Sequence, residues 1–513
     1  MQSERNVSAA QYESFARALI RTREEIAKEL SAPCGRFKST ADIEDALRTY
    51  IFEHLRSIDP VSDEQLFAGS GFPLNWQALL NFLFEKKIIA QPRFQTAPIA
   101  NDRPKITNFG LSFDPSRQTD GRSVSTMGFG GSFSPEEAMS KAIGETLERY
   151  FSSIYSDASL IQASASSLLA KRRTALDIST LNTYLPWQKS AFPEFDVDED
   201  TPLKWVTGEA YPSGKRVLLP AQLVFWNYDH GHIASKPEKA LLRPTTSGCA
   251  GHFSKDEAVL AGLLEHIQRD GFLIFWLNHI APPILDVQSL KDTEIDEVIA
   301  YAARYRLDMK FVNTTSDINI PSVTCIVTDP TDTEDHQIAV GSSTGFDLKE
   351  NIIHSAVEAL VVSAHSGTLP PYALSEDYKP FSDKQIGRKE RLSMWRGLKM
   401  SREFAFFTSG RMQDPRELIK ATPQNLTVKE QLAYVLAQFE QHGAGYEVFV
   451  YEHHHEVLRT LGYHVVRTIV PQLLPLYLSE YAATLDSKRL KEVPAKLGYA
   501  AADTLNPWPH PFP

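Results

Sequence analysis

The chain has 513 residues, of which 42% are hydrophobic, 23% charged and 10% aromatic, a composition that fits two to four globular domains and excludes disordered and collagen-like classes. Its 53 basic against 64 acidic residues leave a net charge of −11, which argues against nucleic acid or an anionic membrane as partner. No apolar run reaches the roughly 20 residues of a membrane span, the charged N-terminus has no secretory apolar stretch, and Cys34, Cys249 and Cys325 are too scattered for a disulfide framework or a Cys-based metal site, so the expectation is a cytoplasmic protein.

Residues 1–95 read as helical. Apolar positions recur at helical spacing through 11–30, Ser39–Thr40–Ala41–Asp42 opens a second helix to about Leu55, and NWQALLNFLFEKKII (75–89) forms a third. The reading leaves open a small winged-helix-like module or a helical extension of the main domain; Lys86–Lys87 is ordinary surface charge. From residue 96 onward strands and helices alternate, so 96–513 is expected to be one α/β (α+β) domain with mixed sheets. Residues 203–226 predict a hairpin with Pro212–Ser213–Gly214 as its turn. Strand-like runs recur at 309–315, 321–329, 336–343, 446–452 and 464–471.

One segment occurs three times: GSFSPEEAMSKAIGETLERY (131–150), GHFSKDEAVLAGLLEHIQRD (251–270) and TGFDLKENIIHSAVEALVVS (344–363). Each copy places Phe before Ser or Asp, Glu three residues on, and Glu eight residues further. Phe133/Ser134/Glu137/Glu145, Phe253/Ser254/Glu257/Glu265 and Phe346/Asp347/Glu350/Glu358 result. The first half predicts a capping box with a hydrophobic staple, and Pro135 takes a first helical position. Capping does not explain the second glutamate, which lies three turns into a small-residue, apolar helix. A carboxylate there is at least partly buried and needs a partner.

Three structural salt bridges would satisfy that need. So would a shared ligand. Glu145, Glu148 and Arg149 share one helix face, as do Glu265, Gln268 and Arg269. Converging helices would bring together more acid than arginine neutralises. A divalent cation compensates such an excess; oxygen donors select Mg²⁺, which usually arrives with phosphates, and neighbouring arginines grip those phosphates.

Late in the chain, Glu452–His453–His454–His455–Glu456 reads as a polar loop or helix start, because consecutive histidines diverge and at most two reach one ion. Cys249 reads as packing. NPWPHPFP (506–513) cannot join a helix or central strand, since alternate residues lack an N–H; a stiff polyproline-like rod is expected.

The segments MSKAIGETLERY, TTSGCAGHFSKDEAVLAGLLEHIQRD and HSAVEAL resemble the nucleotide-binding motifs of the YcaO family, VVRTIVPQLLPL (465–476) its late valine–proline element, and NPWPHPFP the proline-rich segment of its azoline-forming branch. Lys141 stands where the family often has Ser, and His354 where it often has Arg. The resemblance implies a YcaO-type fold with acidic helices around an ATP and Mg²⁺ site that lacks the GxxxxGK[ST] loop. It implies Glu145, Glu148, Glu265 and Glu358 as metal ligands, with Arg149, Ser247, Glu257, Gln268 and Arg269 as nucleotide contacts. The carboxylate of Pro513 is implied as a catalytic base. The implied activity is ATP-dependent cyclodehydration of Cys, Ser or Thr in a ribosomal precursor peptide; thioamide or amidine formation, or an inactive scaffold, are the alternatives. The implied partners are that peptide, a separate E1-like leader-binding subunit and a flavin-dependent azoline dehydrogenase in a hetero-oligomer, with no nucleic acid and no membrane.

Overall fold

The computed structural model describes residues 76–96, 104, 106–114, 127–230, 237–243, 245–330, 337–366 and 368–512. Two compact units divide the chain, Met1–Phe82 and Leu83–Pro513. The helices expected within 11–55, and the winged-helix reading, lie outside the described residues. The third helix is α1 (Trp76–Glu85). It stops short of the expected residue 89 because Lys87 turns left-handed at φ 58°, after which Ile89 bridges Phe113.

Among its described residues the second unit holds three sheets. Strands β1 (Gln95–Thr96), β2 (Thr107–Ser112) and β3 (Met127–Ser132) form an antiparallel sheet in that order. Strands β4 (Ile161–Ala163), β5 (Leu203–Tyr211), β6 (Lys215–Pro220) and β7 (Cys249–His252) belong to a second. A third comprises β8 (Ile284–Leu285), β9 (Asp308–Asn313), β10 (Ser322–Thr328), β11 (Ile338–Thr344) and β12 (Met412–Gln413), ordered β11-β10-β9-β8-β12. Strands β13 (Val448–His453) and β14 (His464–Ile469) complete the second sheet as β4-β5-β13-β14-β7, with β6 on β5. Only β8 and β12 pair in parallel among these strands. The architecture is therefore mixed α/β, as expected. The hairpin turns at Pro212–Ser213–Gly214, where Gly214 takes φ 67° and its N–H donates to Ala210. The five later strand runs also become β9, β10, β11, β13 and β14, shifted by a residue or two at their ends.

Each sheet feeds one acidic helix through a short turn. β3 runs into α2 (Pro135–Ser152), β7 into α3 (Lys255–Leu277) and β11 into α4 (Leu348–Ser366), and each helix packs back on the sheet that delivers it. Close approach explains the glycines there. A Cβ at Gly130 would meet the Ala138 carbonyl at 2.1 Å, and one at Gly341 the Ala359 N and Ser355 O at 2.4 Å.

The expected capping box is only half made. The Ser134 hydroxyl and the Asp347 carboxylate accept the N–H of Glu137 and Glu350, but Ser254 makes no such bond. Glu137 accepts from the Ser132 hydroxyl and Glu257 pairs with His252, which removes both from the cap. Nor is Phe133 a buried staple: it is 42% exposed and lies edge-on to Tyr301.

Residues 506–512 of the proline-rich segment run along the C-terminal half of α3. Asn506 bonds the Leu277 and Trp276 carbonyls through its N–H (2.7 Å) and its amide (3.2 Å). Prolines offer carbonyls but no N–H, so neighbours must donate to this stretch. Tyr378 donates to the Pro507 carbonyl at 2.7 Å, Trp276 to Trp508 at 3.1 Å and Arg391 to His510 at 3.4 Å. Phe512 is buried in an aromatic core with Phe272, Trp276, Trp395, Phe404 and Phe407.

Candidate functional site

The three strand–helix units direct their acid to one place. One oxygen of Glu145 accepts the N–H of Phe129, sixteen residues upstream, and the other meets Arg149 Nη2 at 2.5 Å. Glu265 accepts the Gly248 N–H, seventeen residues upstream, at 3.4 Å and stands 3.7 Å from Arg269 Nε. Glu358 accepts the Ser342 N–H, sixteen residues upstream, at 2.6 Å. Each carboxylate is thus pinned to the strand, or strand approach, that feeds its own helix.

Together they line a cavity of about 580 Å³, within the range of small-molecule sites. Glu145 and Arg149 of α2, Glu265 and Arg269 of α3, and His354 and Glu358 of α4 form its polar wall, with Lys141, Arg388 and Thr245–Ser247. Phe129, Trp226, Leu476 and Leu478 add apolar surface. Acid is crowded inside. Burial, then the charges of Glu265 and Glu145, hold the Glu148 carboxyl well above its usual range. Burial also raises Glu265 and Glu358 against the pull of Arg269. It lowers Arg388, as does the nearby Arg149.

Of the sequence-predicted residues, Glu145, Arg149, Ser247, Glu265, Arg269 and Glu358 meet at this cavity. Glu148 couples to it electrostatically without lining it. Two residues are not brought there. Glu257 sits in the first turn of α3, about two turns from Glu265, and binds His252 Nδ1 at 2.7 Å. The Gln268 amide donates to the Ser342 carbonyl, tying α3 to β11. Pro513 lies outside the described residues, but Phe512 before it rests against Arg269.

Sequence reasoning missed Arg388 and Arg467. Arg467 is buried on β14 and donates to the Leu223 carbonyl at 2.8 Å, the Thr245 carbonyl at 2.7 Å and Cys249 Sγ at 3.1 Å. It fixes the Thr245–Gly248 loop and acts electrostatically on Glu148 and Glu265. A lone arginine inside the apolar run Val-Val-Arg-Thr-Ile was the available signal; Arg388, on a polar helix, gave none. Cys249 is buried against Arg467 and burial pushes its thiol up, in keeping with the packing reading. His455 caps the helix Glu456–Leu461 by accepting the Val457 N–H, and His453 is buried, its pKa lowered to about 3.

Among the described residues no group of three His, Cys, Asp or Glu is placed to hold one metal ion. The chemistry of the wall nonetheless fits a cation carried by an anion. Three carboxyls are held above their usual range, which a cation would relieve. Arg149 Nε and Arg269 Nε and Nη1 are buried without a hydrogen-bond acceptor, and phosphate oxygens would supply one.

Residues 127–474 match the family model described as YcaO cyclodehydratase, ATP- and Mg²⁺-binding. The chain belongs to the YcaO family, and ATP and Mg²⁺ are that family's cofactors. Its fold resembles a heterocyclase solved in complex with substrate and cofactor, at TM-score 0.66 and 16% identity over 84% of this chain and 57% of that one. It also resembles the YcaO of Methanopyrus kandleri bound with AMPPCP and Mg²⁺, at TM-score 0.52 and 17% identity over 80% of this chain and 95% of that one. An uncharacterized protein of Methanothermobacter thermautotrophicus is 23% identical over 163 residues, 31% of this chain and 41% of its own length. The chain thus spans less than two thirds of the heterocyclase and of the Methanothermobacter protein. Among the described residues, no helix is long and apolar enough to cross a membrane.

Proposed function

We propose that the chain is an ATP-dependent, azoline-forming peptide cyclodehydratase. The observation that carries this reading is the packing of segment 506–512 along α3, with Phe512 against the cavity arginine Arg269. A proline-rich segment at an acid- and guanidinium-lined cavity favours ring formation over the thioamide and amidine alternatives.

In this reading Glu145, Glu265 and Glu358, with Glu148 behind them, hold Mg²⁺. Arg149 and Arg269 take the phosphate oxygens, and Ser247 lies on the loop beside them. The thiol or hydroxyl of a substrate Cys, Ser or Thr attacks the preceding amide carbon and loses its proton. The carbonyl oxygen, now an alkoxide and a poor leaving group, accepts the γ-phosphoryl group from ATP, and ADP departs. The C–O bond then breaks with release of inorganic phosphate, the ring nitrogen gives up its proton, and the C=N bond of a thiazoline or oxazoline forms. The Pro513 carboxylate is proposed as the base for that last proton, which requires an approach of roughly 3 Å. Guanidinium donors matter most during phosphoryl transfer, when charge spreads over the transferring oxygens.

The proposed partners are a ribosomal precursor peptide, a separate E1-like leader-binding subunit and a flavin-dependent azoline dehydrogenase. Residues 1–95 are proposed as a helical N-terminal region and 96–513 as the cyclodehydratase domain, with residues 83–95 already part of the second compact unit. The test combines the purified chain, precursor peptide and leader-binding subunit. ATP turnover should rise with both present, and each ring should lower the peptide mass by one water. Mass loss without ATP consumption, or ATP consumption yielding a sulfur-for-oxygen exchange, would reject the azoline assignment.

A further inference from the structure

Phosphate-contact arginines need a fixed orientation as well as charge, and this cavity uses one device for three of its lining arginines. Arg149 lies 5.9 Å from the centroid of Trp226, Arg388 5.8 Å from that of Phe129, and Arg269 5.0 Å from that of Phe512. Trp226 and Phe129 belong to the cavity wall itself. Phe512 comes from the proline-rich segment, far away in sequence.

We infer that Phe512 is a positioning residue for the nucleotide: its ring holds the Arg269 guanidinium facing the cavity, so that segment 506–512 sets ATP affinity as well as ring formation. Its ring sits edge-on to Phe272 at 4.5 Å and 90°. Phe272 and Arg269 are three residues apart on α3 and share its face, so the ring occupies the seat they make. The segment cannot swing away freely, because its carbonyls accept from Trp276 and Arg391 and the His510 ring bonds the Tyr477 carbonyl at 2.7 Å. Beyond the charges of Glu265 and Glu358, Arg269 has little to orient it. Its contact with Glu265 is 3.7 Å, too long for a hydrogen bond, and its Nε and Nη1 are buried without an acceptor. A ring face stabilises such a desolvated cation and leaves its N–H groups for an anion.

The inference rests on the reading that Arg269 contacts phosphate, and the test separates the two. Full-length protein is titrated with AMPPCP and Mg²⁺ while the melting temperature is followed. Phe512→Leu fills the seat without a π face and should weaken affinity about five- to thirtyfold, whereas Phe512→Tyr should stay within about twofold. A trifluorinated phenylalanine at 512 keeps the shape but drains the ring face, and should weaken affinity several-fold with the melting temperature unchanged. In an Arg269→Met background, Phe512→Leu should add no further loss. With precursor present, KM for ATP should rise more than kcat falls. Wild-type protein that binds no AMPPCP overturns the nucleotide reading itself. Wild-type binding with unchanged affinity in both the leucine and the fluorinated variants overturns the role of Phe512 alone.

Discussion

Glu145, Glu265 and Glu358 each have an oxygen fixed by a backbone N–H, which makes their chemistry separable from their packing. Glutamine keeps the acceptor oxygen and the shape but removes the charge. Glu265→Gln and Glu145→Gln should therefore lower ATP turnover at least a hundredfold and abolish Mg²⁺-dependent AMPPCP binding. For Glu265 the metal-free melting temperature should hold or rise slightly, since burial already disfavours its ionised form. Unchanged turnover in both variants would make the glutamates structural. The same burial sets a pH dependence. Glu148, Glu265 and Glu358 have folded-state pKa values above the unfolded ones, so their contribution to stability is complete below the unfolded value and is lost as pH rises through the folded values. The metal-free protein should lose stability from about pH 4.5 upward on this account. Stabilisation by Mg²⁺–AMPPCP should grow over the same range, because the bound cation favours the ionised carboxyls. A stabilisation independent of pH between 5 and 8 would contradict it.

At the scale of elements, the strand–turn–helix unit is the working part, and its three copies are not equally capped. Ser134→Ala and Asp347→Ala should each cost about 0.5–2 kcal/mol, and Ser254→Ala much less, because only the first two side chains accept a helix N–H. Equal losses in urea unfolding of the three variants would refute that ranking. Replacing Gly341 by Val should be far worse, since a Cβ there already collides with α4 backbone. These units were legible in the sequence because a helix that must bury one face repeats its small and acidic positions at fixed spacing. The strands were legible too: β10, SVTCIVT, is rich in β-branched residues and buried on both faces up to Thr328, and the hairpin carries its own turn residues. Two-residue strands such as β8 and β12 carry no periodicity, and only their pairing with neighbouring strands reveals them. The site was less legible than the fold. Spacing named Glu145, Glu265 and Glu358 and put Gln268 on the face of Glu265, and the family resemblance then implied Gln268 as a nucleotide contact, whereas its amide donates to Ser342 of β11. Helical spacing shows which residues share a face, not which neighbour arrives there first.

Across the second unit, Glu145, Glu265 and Glu358 lie on helices fed by three different sheets. A ligand that engages all three must therefore stabilise each of them. At a hundredfold excess over Kd the stabilisation is about 2.7 kcal/mol, and amide hydrogen exchange should slow in β3, β7 and β11 together. Slowing in one sheet alone would show that the others do not engage. The isolated chain should hydrolyse ATP slowly and leave a precursor peptide unmodified until a leader-binding subunit is added; efficient ring formation without one would point to residues 1–95 as the peptide grip. A bolt through three plates comes free when the thinnest one bends. Here that plate is the sheet β1–β3, which supplies Glu145 through its attached helix and is the smallest of the three. The departure of spent nucleotide should keep time with the breathing of that sheet, so loosening the β2–β3 pairing should raise the ADP off-rate while leaving the exchange of β10 untouched.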